Sequence, residues 1–471
     1  MSHRCFNKFE MEQKARAMPE LYFIGIYIGT STICGVINDT ESMKIRSIVK
    51  ENSSKLETTN EWEDLQDPQI ILSIVQGVIN EFIKEYKNIK GIGITGQMHG
   101  ILYVDKHGNS ISPLYTWQDG RGNLIYNNDL SYSDYLANAT GYSVPAGYGL
   151  ATHFYNLKNG IIPEISFKIC TIMDYIVMKL TTSNIPVTDN SNGASLGFFD
   201  LRNSRFDLEA IKKVSIDPEI LPEILPANHI IGKYTNDIFV CNAIGDNQAS
   251  ILGSANNIEK SIFINIGTSS QISIYIDKYI QIETLELRPF PGGGYILVGS
   301  ALCGGYSIVI LKNFFDEVLK MYCTQPIDNY YFYKVMNSLD YFGEDFMESI
   351  QVEALFRGAR LSPYKRGLIK NISTTNFTPV NLIFGFLHGI CNELYDFYIK
   401  IPEKNRNKIE SLVGSGNAIR KNTILTRMLE DKFGHKMVIP EYCEEAAFGA
   451  SLCAIVGVNY VDNFLDIVKF K

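Results

Sequence analysis

Apolar residues recur along the chain in two rhythms, and the switches between them mark out its elements. FIGIYIGTSTICGVI, residues 23–37, carries apolar runs on either side of Gly29-Thr30-Ser31 and predicts a strand, a tight turn and a strand. SIFINIGTSSQISIYI, residues 261–276, repeats that grammar, with Gly267 in the place of Gly29. Residues 69–88 show helical spacing and run into the strand-like IKGIGITG. Residues 379–400 predict a long helix opened by Pro379. Residues 444–457 predict a helix with acids in its first turn, which suits the helix dipole. Its Ala446, Ala447, Gly449 and Ala450 permit close packing. Strand-like and helix-like stretches alternate through both halves, so the class is α/β.

The strand-turn-strand pattern returns once, near the start of each half. Solenoid periods are only ~20–50 residues, so the repeat points to two related domains. The expected division is a polar N-terminal extension, residues 1–20, a first lobe, 21–245, and a second lobe, 246–471. One such stretch alone is equally an ordinary hairpin. Two facing a shared cleft have a different use. Glycine lets the backbone approach a ligand, and Thr and Ser hydroxyls with nearby N–H groups donate to phosphate oxygens.

Composition narrows the function. Apolar residues make up 45% of the chain and charged residues 20%, enough for a sizeable core. With 43 basic and 51 acidic residues the net charge is −8, which lacks the basic footprint of a nucleic-acid binder. The nine cysteines are scattered and never spaced as CxxC. They read as reduced, mostly buried thiols of a cytoplasmic protein rather than as a disulfide framework or zinc site. No apolar run reaches the ~18 residues of a membrane span, and no signal-peptide pattern opens the chain.

Four stretches carry candidate chemistry. GIGITGQMHGILYVD, residues 91–105, puts Gln97 and His99 at a strand end, where α/β sheets bind ligands; a plain polar turn fits as well. PLYTWQDGRG, residues 113–122, groups Trp117, Gln118, Asp119 and Arg121, a set suited to a polyhydroxylated ligand or to a surface ion pair. In NAIGDNQASILG, residues 242–253, Asp246 precedes a helix beginning near Gln248. A carboxylate there can accept the proton of a hydroxyl attacking phosphorus, or simply cap the helix. LVGSGNAIRKN, residues 412–422, reads as strand, Gly-Ser-Gly turn and helix, able to admit adenine or ribose.

The order of these motifs resembles the FGGY carbohydrate kinases of the sugar kinase/actin-like superfamily, over about residues 21–457. GIYIGTSTI is similar to the first phosphate loop, TGQMHG to the sugar-side loop, GDNQAS to the catalytic-aspartate motif and NIGTSS to the second phosphate loop. GSALCGG is similar to the following nucleotide loop and VGSGNAIRKN to the adenosine motif. TWQDGR, ATGYSVPAGYGLATHFYNL, DNSNGASLGFFD and LFRGARLSPYKRG resemble the sedoheptulokinase subgroup in particular. The resemblance implies a two-lobed actin-like, ribonuclease H-like ATPase fold with a duplicated domain and a cleft between the lobes. It implies ATP-dependent, Mg²⁺-assisted phosphorylation of a ketose, with sugar and ATP as the small-molecule partners and a monomer or homodimer as the assembly. Asp246 would be the catalytic base. Gln97, Met98, His99, Trp117, Asp119, Arg121 and Asn247, with Asp246, would bind sugar. Thr30, Ser31, Gly267, Thr268 and Gly304 would contact the polyphosphate, and Gly414, Ser415, Gly416 and Asn417 the adenosine. The resemblance fixes no metal ligand in this sequence.

The chain departs from the family at one loop. Family members read Gly-Ile-Asp where this chain reads Gly25-Ile26-Tyr27, and a basic residue is usual where Cys34 stands. That aspartate helps hold the magnesium bound to the phosphates. Ala359 replaces a usual glutamate and Met173 a usual histidine. The alternative to an active kinase is therefore a sugar- or nucleotide-binding pseudokinase, or a xylulokinase-like enzyme for another ketose.

Overall fold

The computed structural model describes residues 21–40, 45–235, 237–254, 256–322, 330–341, 350–359, 362 and 364–467. The expected N-terminal extension lies outside the described residues. The chain forms two compact units. The first comprises Met1–Gly253 and Glu444–Lys471, the second Ser254–Cys443. The division expected at 245/246 is thus displaced, and the C-terminal segment returns to the first unit. The reason is close packing between two helices of that unit. A Cβ on Gly449, in helix Glu445–Gly457, would lie 1.8 Å from the carbonyl oxygen of Ala249, in helix Asp246–Ser254. One on Gly253 would lie 1.9 Å from the carbonyl oxygen of Glu445. Only glycine lets these backbones meet.

The sheet of the first unit contains β1 (Tyr22–Ile28), β2 (Thr32–Asp39), β3 (Ile45–Glu51), β4 (Ile89–Gly96), β5 (Ile230–Thr235), β6 (Ile238–Cys241) and β7 (Ile244–Gly245). Their order is β5-β6-β4-β1-β2-β3, with β7 also paired to β4. β1 runs antiparallel to β2 and parallel to β4. Period-two alternation divides the strand residues between two helical layers. Ile26 and its partner Gly35 face helix Pro68–Glu85, whose Val78 and Phe82 would clash with any side chain at Gly35. Asp67 caps that helix, and it ends at Glu85, before the expected residue 88, because Tyr86 is extended. Gly25 and Gly93 face the opposite layer, where a Cβ on either would lie 1.8 Å from a carbonyl oxygen of helix Glu445–Gly457.

The second unit repeats this plan. Its sheet contains β8 (Ser261–Ile266), β9 (Ser270–Ile276), β10 (Glu286–Pro289), β11 (Tyr295–Ala301), β12 (Ser411–Ser415) and β13 (Met437–Val438). The order is β10-β11-β9-β8-β12-β13. β8 is antiparallel to β9, β9 to β11, and β8 parallel to β12, as β1 is to β2, β2 to β3, and β1 to β4. In each unit a long helix precedes the parallel partner; here it is Pro379–Tyr398, capped by Thr378. Its Leu382, Ile383, Phe386, Leu387, Ile390 and Leu394 are buried in the unit's core. The described cysteines are all free, and all but Cys443 are buried. No helix among the described residues is long and apolar enough to cross a membrane.

Candidate functional site

In the first unit, the ends of β1, β4 and β7 meet at one sheet edge. The turn after β1 closes with the Gly29 N–H on Thr32 O at 2.9 Å. Every carbonyl of the turn is held: Asn52 Nδ2 donates to Gly29 O (2.8 Å), Gln66 Nε2 to Thr30 O (2.9 Å) and the Asn52 N–H to Ser31 O (2.9 Å). Trp117 Nε1 donates to Thr30 Oγ1 (3.1 Å), which donates to Gln97 Oε1 (3.3 Å). Gln97 Nε2 then donates to Gln66 Oε1 (2.8 Å), closing the network. Gln66 and Gln97 are buried, so these bonds are sheltered from water. The result is a fixed turn with its carbonyls engaged and the Ser31 side chain exposed.

Beyond β4 the Gln97 N–H extends the pairing to Ile28 O at 2.8 Å. Met98 is buried against Gly245, where a Cβ would meet its Sδ at 2.7 Å. His99 has φ +77°, a left-handed conformation that costs energy in a residue other than glycine. Three contacts hold it there. Its N–H donates to Ser195 Oγ (3.2 Å), its Nδ1 lies 3.0 Å from Ser195 O, and its ring stacks on Tyr148 at 4.4 Å. A carbonyl only accepts, so Nδ1 carries a proton in this contact. Asp246, half-buried, opens its helix directly after β7, where Thr95 Oγ1 donates to Ile244 O (2.8 Å). Asn247 Oδ1 is buried and has no hydrogen-bond partner among the described residues.

The tryptophan and its neighbours divide. Trp117 is 46% exposed, whereas Asp119 and Arg121 are 1% and 2% exposed. Arg121 Nε and Nη2 donate to the two carboxylate oxygens of Asp119 at 2.6 and 3.0 Å, and Nη1 donates to Asn156 Oδ1 at 2.6 Å. The guanidinium also lies 4.2 Å from the centre of the Tyr115 ring. Asp119 and Arg121 were expected to line a sugar pocket. The structure puts them beneath the surface, bracing the loop that presents Trp117. The spacing of an acid and a base two residues apart gives no signal of burial.

Tyr27 pairs with Cys34 on β2 and with Thr95 on β4. It follows Gly25 on the face covered by helix Glu445–Gly457. Its ring packs against the turn, 2.8 Å from where a Cβ on Gly29 would stand. Burial first, then the charges of Asp246 and Glu444, hold the phenol protonated well above the usual tyrosine range. Burial and then Glu444 likewise raise the Cys34 thiol, which donates to the Gly35 carbonyl oxygen. The departures at Tyr27 and Cys34 therefore meet two acids, and sequence reading missed Glu444. Its only signal was a first-turn acid on a helix whose packing partner was unknown.

The second unit has its own cavity of about 430 Å³. Gly267, Thr268 and Asn417 line it together with Gly305, Tyr306, Tyr330, Tyr333, Met336, Lys421 and Asn422. The loop after β8 is bound to helix Gly305–Tyr322, with the Gly305 N–H on Gly267 O (2.9 Å) and the Gly304 N–H on Thr268 O (3.0 Å). Gly414 and Ser415 end β12 in register with Ile264 and Asn265. Gly416 has φ +89°, and a Cβ there would lie 2.5 Å from Ile266 O, so only glycine makes this turn into Asn417. Of the residues expected at the phosphates and adenosine, Gly267, Thr268 and Asn417 line this cavity, while Gly304, Gly414, Ser415 and Gly416 are not among its lining residues. Its tyrosines had no motif to announce them.

Residues 22–255 match the FGGY family of carbohydrate kinases, N-terminal domain. The chain is 24% identical to a sedoheptulokinase of Mus musculus, over 91% of this chain and 96% of that protein. It is also 24% identical to a xylulose kinase of Staphylococcus xylosus, over 95% and 93%. A gluconate kinase from Lactobacillus acidophilus superposes with a TM-score of 0.81 at 20% identity, over 96% of this chain and 92% of that one. The fold is the two-domain actin-like, ribonuclease H-like α/β fold.

Proposed function

By its N-terminal domain, residues 22–255, the chain belongs to the FGGY family of carbohydrate kinases, and on that premise we propose that it transfers the γ-phosphoryl group of ATP to a ketose, sedoheptulose giving sedoheptulose 7-phosphate. The observation that carries this reading is the shared edge of β1, β4 and β7. Ile28 O accepts from Gln97 N, and β7 pairs with Thr95 and Gly96 immediately before Asp246. A phosphate-type turn, a sugar-type loop and a carboxylate are thereby fixed on one rigid support. The choice of sedoheptulose rests on the subgroup motifs and on similarity to proteins of that name.

In this reading His99 Nε2 forms a hydrogen bond with a sugar hydroxyl, and the exposed Trp117 face packs on the sugar's C–H surface. Gln97 and Met98 shape the floor of the pocket, and Asn247 Oδ1 accepts from the ligand. Asp246 takes the proton of the attacking hydroxyl, whose oxygen bonds to the γ-phosphorus as the bond to the ADP oxygen breaks. The second-unit cavity holds the nucleotide, its tyrosines and Met336 against the base and the Gly267–Thr268 loop toward the phosphates. Thr30 and Ser31 provide the further phosphate contacts.

Bound magnesium supplies charge neutralisation on the phosphates. Among the described residues no group of three or more His, Cys, Asp or Glu side chains converges. Such a donor set suits Mg²⁺ held mostly by phosphate oxygens and waters, with one or two carboxylates. Asp246 and Glu444, the two acids that act on Tyr27, would supply them.

Tyr27 favours a second reading, a binder with little phosphotransfer. A protonated phenol stands where the family places the magnesium aspartate. The two readings separate in an assay of ADP release over a panel of ketoses with and without Mg²⁺. Mg²⁺-dependent release with sedoheptulose supports the kinase. Binding of sugar and nucleotide without release supports the second reading.

A further inference from the structure

We propose that the buried helix Asn190–Leu196 is a positioning clamp that sets the reacting carboxylate with one serine and the sugar-binding imidazole with another. The inference rests on the reading of Asp246 as base and His99 as sugar ligand. The segment DNSNGASLG, residues 189–197, lies outside the four stretches of candidate chemistry.

Asp189 caps this helix, accepting from the backbone N–H groups of Ser191 (3.1 Å) and Asn192 (2.9 Å). The Ser191 hydroxyl donates to the same carboxylate, 2.7 Å from Oδ1 and 2.8 Å from Oδ2. Its one proton is thus committed, and its lone pairs remain to accept. The Gly245 N–H donates to it at 2.8 Å. Asn192 Nδ2 adds a bond to Ala243 O at 3.3 Å. The backbone immediately before Asp246 is therefore held by side chains of this helix. One turn later, Ser195 Oγ donates to Asn192 O (2.8 Å) and accepts the His99 N–H (3.2 Å). Ser195 O lies 3.0 Å from His99 Nδ1. Asp189, Ser191, Asn192 and Ser195 are all buried.

A purely structural helix could present apolar side chains to β7 and to the loop after β4. This one instead aims hydroxyl and amide groups at the backbone beside each functional side chain. That choice gives directional control, because a hydrogen bond fixes angle as well as distance. Reacting groups displaced by about 1 Å lose up to about 10²-fold in rate.

The test compares Ser191→Ala and Ser195→Ala in the full chain. Turnover and KM are measured with sedoheptulose and Mg-ATP, and amide hydrogen exchange is followed at Gly245 and His99. Ser191→Ala is expected to lower kcat by roughly 10- to 100-fold, to speed exchange at Gly245, and to leave sedoheptulose affinity within about threefold, a loss smaller than one average hydrogen bond. Ser195→Ala is expected to raise KM more than it lowers kcat and to speed exchange at His99. If Ser191→Ala does not accumulate folded, Ser191→Cys supplies the same arm, since a thiol is a weaker acceptor of similar shape. The proposal is overturned if Gly245 exchange and kcat are unchanged in the Ser191 variant. It is equally overturned if both variants alter kcat and KM alike, in proportion to a fall in melting temperature. The exchange readout needs no catalysis, so it stands even if Asp246→Asn retains turnover and the reading of Asp246 as base fails.

Discussion

The indole N–H of Trp117 donates to the hydroxyl of Thr30 at 3.1 Å, joining the loop expected to face sugar to the turn expected to face phosphate. Trp117 therefore braces the Gly29–Ser31 turn as well as its own loop. Trp117→Phe keeps an aromatic face and deletes the donor. A net hydrogen bond is worth about 0.5–1.5 kcal/mol, so sedoheptulose and Mg-ATP affinities should each fall by about two- to tenfold. Calorimetry with either ligand checks this. A loss confined to sugar would mean that the bond carries nothing to the turn.

Tyr27 shares its surroundings with two acids, and a carboxylate there would be a third. Tyr27→Asp is expected to lower the melting temperature without metal through like-charge repulsion. It should regain that loss with Mg-ATP and reach half-maximal rate at lower Mg²⁺. Tyr27→Phe should leave the Mg²⁺ dependence unchanged. A Tyr27→Asp protein that is destabilised equally with and without Mg-ATP would show that residue 27 has no bearing on the metal.

Arg121 and Asp119 are expected to matter for folding before they matter for sugar. Removing one partner of a buried ion pair costs about 3–5 kcal/mol, because the other is left charged and unpaired. Arg121→Ala should lose about that much stability in urea denaturation. The double variant Asp119→Ala/Arg121→Met should recover part of it. Full stability in Arg121→Ala with a lost sugar site would return the arginine to the pocket wall.

The repeat was legible because a turn between two apolar alternations is a local pattern, and Gly29 and Gly267 do occupy matching places in two like sheets. The return of helix Glu445–Gly457 to the first unit was not. Its partners lie hundreds of residues away, and the clue was split between small residues on the helix and Gly25 and Gly93 on the strands. The candidate residues near Asp246 were readable from motif order. The clamp behind them was not, since Ser191 and Ser195 act through backbone atoms of distant segments. The buried state of Arg121 also depended on Tyr115 and Asn156, which no local spacing connects to it.

Asp174 gives a pH signature. It is buried in a capping box with Thr171, and desolvation pushes its carboxyl up to about 7. A raised folded value means that the folded chain holds the proton where the unfolded chain has released it. The associated stability is present in full below the ordinary carboxylate range and is lost as pH rises toward 7. Asp174→Asn cannot titrate. The melting temperature of the native chain minus that of Asp174→Asn should therefore be larger at pH 5.5 than at pH 7.5. A difference independent of pH would show that the carboxyl titrates normally.

The most direct test of the account is ADP release with sedoheptulose and Mg-ATP by the native chain and by Asp246→Asn, paired with calorimetric binding of the sugar. Loss of a general base costs roughly 10²–10⁴-fold. The expected result is Mg²⁺-dependent turnover in the native chain, a fall of that size in the variant, and sugar binding retained in both. Near-native turnover by Asp246→Asn, or no turnover by a native chain that binds sugar and nucleotide, would contradict it.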